Sequence, residues 1–331
     1  RIRRRALTAR RGHNPRMNRD PSGGRAWRTC LAVMLLALLI RGFLCAQLVC
    51  LSRDGVHFVT FARQLADAPV EYLRATTKQP GYAYLLLGTH RFFGTALGGD
   101  SPIAWQRCGQ LPALLGGVAA CGLIYWLTRR LFDNTTAAIA AILAAFWWQG
   151  AQLSADALSD MPHLAVFLLA FLIGHAALRT RRMWRFAVCG LVCGAAYLLR
   201  QEAIGLLAAI GLGCLWSGQR VRDEADRDAS AGVESGVSPV LRRPQGADAT
   251  VHTYSRVRSR LVGLAVLVIC FTAVVAPYAI VVGRIMPNKS LLDLLHGWPR
   301  TTDAAGGPWF MLARIMPWWQ TPLGMLEGWA K

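Results

Sequence analysis

The sequence predicts an all-α fold, a polytopic bundle of transmembrane helices, and three observations lead there. Of the 331 residues, 54% are hydrophobic, and the mean hydropathy is +0.32. The apolar residues are gathered into blocks of roughly 16 to 25, the length a helix needs to cross ~30 Å of hydrocarbon. The 37 Lys and Arg and the 18 Asp and Glu lie mostly in the gaps between blocks.

About seven spans follow from this segregation. Residues 27–49 form the first, with Arg41 deep within it, and 109–127, 136–148 and 161–178 form the next three. Residues 186–199 and 203–216 make a short hairpin broken at Arg200-Gln201-Glu202, and 261–282 is the last span. With the N-terminus in the cytoplasm, residues 1–28, 129–135, 179–185 and 217–260 lie inside, while 51–107, 149–160, 200–202 and 283–331 lie outside. Lys and Arg are then about three times denser inside, as the positive-inside rule requires. The expected plan has a basic cytoplasmic tail over 1–28 and a transmembrane catalytic region over 29–216 with an external loop at 51–107. A disordered, aromatic-poor cytoplasmic linker over 217–258, a span over 259–282 and an external segment over 283–331 complete it. The cell (inner) membrane is the expected location.

The formal charge of +19 would suit nucleic acid if it lay on one face with interleaved aromatics. Spread among segments that flank spans, it points to membrane lipids, and no nucleic-acid partner is expected. The nine cysteines sit in or beside apolar runs and have no zinc or disulfide spacing, so they read as small packing residues. The N-terminal stretch is Arg-rich and acid-poor, like a transit peptide. The chain opens on Arg1 and its first methionine is Met17, as expected of a fragment or of a reading frame started elsewhere. Arg41 lies toward the external end of the first span, where it is expected to snorkel or to meet a lipid phosphate.

The polar chemistry gathers on the external side. After the first span, Phe58, Phe61, Ala62 and Leu65 recur at helical spacing with Arg63, Gln64 and Asp67 turned away, which is an amphipathic helix on the membrane surface. Asp54 opens it, flanked by Arg53 and His57, and can be read either as an N-cap or as a reactive carboxylate. Lys78-Gln79-Pro80-Gly81-Tyr82 follows in the same loop. Asp156 and Asp160 occupy a second external turn, and Arg200 and Glu202 a third; each also has a plainer reading, as caps or solvated turn residues. Three distant loops thus bring carboxylates and cations to one surface. Such a face suits transfer of a sugar from a polyprenyl phosphate, which already carries a good leaving group. A carboxylate takes the acceptor hydroxyl's proton, and fixed cations stabilise the phosphate as charge develops. Asp54 is the candidate catalytic base. Arg53, His57, Lys78, Gln79, Tyr82, Asp156, Asp160, Arg200 and Glu202 are the candidate substrate-binding residues. No cofactor is called for, and a divalent metal is compatible but not indicated.

At these residues the sequence resembles the GT-C class of membrane glycosyltransferases, specifically the protein O-mannosyltransferase and aminoarabinose transferase superfamily. Arg53-Asp54-Gly55 resembles that family's acidic motif in the first external loop, with Gly55 where Glu is usual. Gln79-Pro80-Gly81-Tyr82-Ala83-Tyr84 resembles its Pro-Pro-Leu-Tyr-Tyr segment, which leads into an apolar helix; Gly81 replaces the second Pro, and Lys78 is displaced by one. The stretches 154–162 and 194–202 are similar to its second acidic turn and to its Gly-rich helix ending in Arg-Pro-Glu. The resemblance spans roughly residues 31–216. It implies a GT-C-like bundle, a lipid-linked sugar donor, an acceptor hydroxyl on protein, lipid or glycan, and inverting transfer on the external face. The alternatives are a non-catalytic or truncated membrane paralogue of the same fold and, less in keeping with polar residues at one surface, a transporter.

Overall fold

The computed structural model describes residues 22–76, 78–216 and 246–283. The expected tail over 1–28, the linker over 217–258 and the external segment over 283–331 fall largely outside the described residues. The helices are α1 (Ser22–Gln47), α2 (Arg53–Asp67), α3 (Pro69–Ala75), α4 (Gly81–Leu97), α5 (Pro102–Leu131) and α6 (Asn134–Phe146). They continue with α7 (Trp148–Ala155), α8 (Asp160–Thr180), α9 (Met183–Leu199), α10 (Ala203–Trp216) and α11 (Gly246–Val282). No strand occurs among the described residues, so the all-α class holds.

Local chemistry sets several boundaries. Ser52 Oγ accepts from the Gly55 N–H at 3.1 Å to start α2, and Ser101 Oγ accepts from the Ala104 N–H at 3.2 Å to start α5, with Pro102 following it. Asp133 accepts from the Thr136 N–H at 2.9 Å to start α6. Gly98, at φ +117°, lets the chain leave α4 in a left-handed turn that a side chain would disfavour.

Among the described residues, four helices, or five if a bent pair is taken as one span, are long and apolar enough to cross a membrane, and the expected count of about seven is not confirmed. The segments Gly24–Gln47, Pro102–Leu131, Asp160–Thr180 and Arg258–Val282 are long and apolar enough to cross a membrane. The expected third span is instead a pair, α6 and α7, bent by 57° at Trp147, which counts as one span only if the two pieces are taken together. The two arms of the expected hairpin, α9 and α10, are shorter apolar helices of 17 and 14 residues. At the other end, the candidate span Arg258–Val282 coincides with the one expected over 259–282, within a helix, α11, that begins at Gly246.

Lipid-like surroundings give helices little hydrophobic reason to associate, so close approach through small residues does much of the packing. On α5, a Cβ on Gly116 would lie 2.5 Å from the Pro162 backbone nitrogen of α8. On α9, a Cβ on Gly190 would lie 2.3 Å from the Leu267 carbonyl oxygen of α11. The cysteines behave as expected of small packing residues: all nine are free thiols, and Cys30, Cys108, Cys121, Cys189, Cys193 and Cys214 are buried.

The loop after α1 is itself helical. α2 buries Gly55, Phe58, Ala62 and Leu65 and leaves Arg63, Gln64 and Asp67 exposed, as its amphipathic spacing predicts. Its apolar face sits on a cluster built from Tyr72 and Leu73 of α3, Tyr82 and Leu86 of α4, Trp105 of α5 and Leu199 at the end of α9. Polar ties hold the far end: Arg63 lies 3.7 Å from Asp100, and Asp100 accepts from the Trp105 indole N–H. His90 stacks on Trp105 with centroids 3.7 Å apart.

Candidate active site

Asp54 sits in the first turn of α2. The side-chain cap at the start of α2 comes from Ser52, whose Oγ accepts from the Gly55 N–H. It is 66% exposed, and its Oδ1 accepts from Lys78 Nζ at 3.0 Å. Lys78 comes from the loop before α4 and also lies over the Phe58 ring, 5.1 Å from its centroid. Two residues 24 positions apart thus meet because α2 and α4 pack together. Phe58 and Tyr82 form that contact edge to face at 4.9 Å.

Tyr82 is fully buried, and its hydroxyl donates to the Gly109 carbonyl at 2.6 Å. It supports the surface from beneath rather than lining it. Burial, reinforced by the Asp156 and Asp160 charges, pushes its phenol well above the ordinary value. Gln79 is likewise buried, its amide beside the Tyr197 hydroxyl but without a hydrogen bond of ordinary geometry. Arg53 and His57 are exposed on α2, His57 stacked against Phe61 at 6.0 Å.

The second acidic turn separates into two roles. Asp156 closes α7 and is 9% exposed; its oxygens accept from the Ser52 N–H at 3.3 Å, and Oδ1 accepts from the Ala157 N–H at 2.8 Å. It grips the residue that caps α2. Gly55 is what allows this approach, since a Cβ there would lie 2.5 Å from Asp156 Oδ1. The departure from the acidic pattern at Gly55 therefore has a local reason: a side chain at 55 would displace Asp156 from Ser52.

Asp160, in the first turn of α8, pairs instead with Arg200, which follows α9. Arg200 also reaches Glu202 at 3.3 Å, so one guanidinium joins two carboxylates. This triad is brought beside the Lys78 loop by Gly81, where a Cβ would lie 2.5 Å from the Leu198 carbonyl oxygen and 2.9 Å from the Leu199 nitrogen. Only a glycine lets α4 start against the end of α9, which accounts for Gly81 in place of proline. His163, one turn along α8, faces the same triad, with Nδ1 3.2 Å from the Ala196 carbonyl oxygen. Apart from its spacing of three from Asp160, nothing in the sequence marks His163.

Desolvation pushes the Glu202 carboxyl up, but the Arg200 hydrogen bond and charge outweigh it and hold the acid below its ordinary value of 4.5. Desolvation likewise opposes the charged Arg200 guanidinium, and Glu202 and Asp160 more than offset it. Because the folded value of Glu202 is depressed, its contribution to stability is present above pH 4.5 and is lost as pH falls through the folded value. The melting-temperature difference between wild type and Glu202→Gln should therefore be constant at and above neutral pH and should close only below pH 4.5. A difference that closes near neutrality would show that Arg200 does not hold Glu202.

A cavity of about 650 Å³ opens between the ends of α1 and α4 and the start of α5, lined by Val49, Phe93, Leu97, Ile103 and Leu114 with Gln106 and Arg107 among them. Among the described residues, no three His, Cys, Asp or Glu side chains come close enough to share a metal ion.

Residues 91–230 match the model of a family described as dolichyl-phosphate-mannose-protein mannosyltransferase. The match takes in α5 to α10 with Asp156, Asp160, Arg200 and Glu202, and it begins after Asp54 and Lys78. The resemblance to GT-C glycosyltransferases is borne out over that segment. No curated protein matches the chain.

Proposed function

We propose that this chain, which over residues 91–230 matches the dolichyl-phosphate-mannose-protein mannosyltransferases, is an inverting glycosyltransferase that draws on a polyprenyl-phosphate sugar. The observation that carries the reading is the Asp54–Lys78 pair at 3.0 Å, a carboxylate beside a cation on an amphipathic surface helix. Asp54 takes the proton from an acceptor hydroxyl as its oxygen bonds to the anomeric carbon. The bond from that carbon to the phosphate oxygen breaks, and the electron pair leaves with the polyprenyl phosphate. Lys78 has three N–H donors, so it can hold Asp54 and a phosphate oxygen together. Arg200 supplies a second charge toward the leaving phosphate. The acceptor is a protein, lipid or glycan hydroxyl. The cationic bias of the loops favours a cytoplasmic N-terminus and an external site in the cell (inner) membrane.

The transporter alternative would use the bend between α6 and α7 as an ion site. Arg41 already occupies the carbonyls there. The test is transfer of radiolabelled sugar from polyprenyl-phosphate mannose in membranes that contain the chain. Label should appear in the acceptor fraction above that of control membranes. Label at the control level would favour a non-catalytic paralogue of the same fold.

A further inference from the structure

Arg41 does not snorkel. It is 2% exposed, within an apolar helix where an unsatisfied guanidinium would be costly. Its Nη1 donates to the Ala145 carbonyl at 3.1 Å, its Nη2 to the Ala144 carbonyl at 3.1 Å, and its Nε to Ser154 Oγ at 3.0 Å. Ala144 and Ala145 close α6, where the 57° bend into α7 removes the next turn of helix and strands the final carbonyls. The guanidinium thus replaces the missing backbone donors and sits at the negative end of the α6 dipole. No carboxylate pairs with it among the described residues.

The space for this arrangement is built in. A Cβ on Gly117 of α5 would lie 2.1 Å from Ser154 Oγ and 2.9 Å from Arg41 Nε. The Ser154 hydroxyl donates to the Gly150 carbonyl at 2.6 Å, which leaves its oxygen as the acceptor for Arg41. At the other end of α7, Gln110 Nε2 donates to the Ala155 carbonyl at 2.9 Å. The next residue is Asp156, which holds the Ser52 N–H and abuts Gly55, on either side of Asp54.

We infer that Arg41 is a positioning residue for Asp54: it fixes the bent α6–α7 pair so that Asp156 can hold the first turn of α2 in place. What Asp54 then does rests on the glycosyl-transfer reading, but the coupling itself can be measured without substrate. In the full chain in lipid nanodiscs, Arg41→Gln should raise backbone hydrogen exchange about 10-fold or more over both 148–158 and 50–57, while 183–199 stays at the wild-type rate. Ser154→Ala, a milder change that removes one of the three acceptors, should raise exchange over the same two stretches by less. It serves as the decisive variant if Arg41→Gln exchanges faster everywhere.

Faster exchange over 148–158 with 50–57 unchanged would overturn the inference, as would wild-type exchange over both. In the transfer assay, Arg41→Gln should lower kcat with the donor KM near that of wild type, whereas a site deformed as a whole would change both. A wild-type chain without transfer activity would overturn the catalytic reading and leave the exchange result to judge Arg41 by itself.

Discussion

Replacing Asp54 with Asn should lower sugar transfer ~100-fold or more, with expression and donor binding kept near wild type. The substitution preserves the shape of the side chain and removes its basicity. Loss of folding is not expected to contribute, because Ser52, and not Asp54, accepts the Gly55 N–H at the start of α2. The tie to Lys78 is exposed, at 66% on the Asp54 side, and pairs of that kind contribute little to stability, about 0–1 kcal/mol. Transfer rates measured at saturating donor would isolate the chemical step. An Asp54→Asn chain that transfers at the wild-type rate would remove Asp54 from the mechanism and leave the fold untouched.

The second large effect concerns the cations. Lys78→Gln or Arg200→Gln should weaken donor binding about 10- to 100-fold, the equivalent of losing one charge-assisted hydrogen bond of ~1.5–3 kcal/mol. Acceptor dependence should change much less. The two variants should differ in one respect. Lys78 pairs with Asp54, whereas Arg200 joins Asp160 and Glu202, so its removal also leaves two neighbouring carboxylates without the cation they share. Arg200→Gln should therefore cost stability as well as affinity, read as a lower Tm than that of Lys78→Gln. Unchanged donor affinity in both variants would return these residues to the role of ordinary surface ion pairs.

Much of this was legible in the sequence, because the signals were local. Apolar blocks gave the helices, and the spacing of Phe58, Ala62 and Leu65 gave the buried face of α2. The acidic and basic loop residues at 54, 78, 160, 200 and 202 were picked out by their position between apolar blocks. What stayed hidden depended on direction or on contacts between distant residues. The run from Ala137 to Trp148 is continuously apolar, so nothing in its hydropathy marks the bend at Trp147. The fate of Arg41 depends on that bend, on Ser154 and on the missing side chain at Gly117, three positions far apart in the chain. Asp156 and Asp160 look alike in sequence, and only the fold turns one toward Ser52 and the other toward Arg200. Gly55 and Gly81 read as departures from a family pattern until the Cβ positions show what each would strike. Tyr82 stands in the external-loop segment with Lys78 and Gln79, but the fold buries it and commits its hydroxyl to Gly109.

The central claim is that the Asp54–Lys78 pair and the Asp160–Arg200–Glu202 triad form one site for a lipid-linked sugar phosphate. Photolabelling of the full chain in membranes with a polyprenyl-phosphate sugar that carries a photoreactive group on the sugar tests it most directly. Labelling of peptides that cover both 52–82 and 198–203 should be saturable, competed by unlabelled polyprenyl phosphate and weakened in Lys78→Gln and Arg200→Gln. Labelling confined to other segments, or labelling of these two that neither competitor nor substitution reduces, would contradict it.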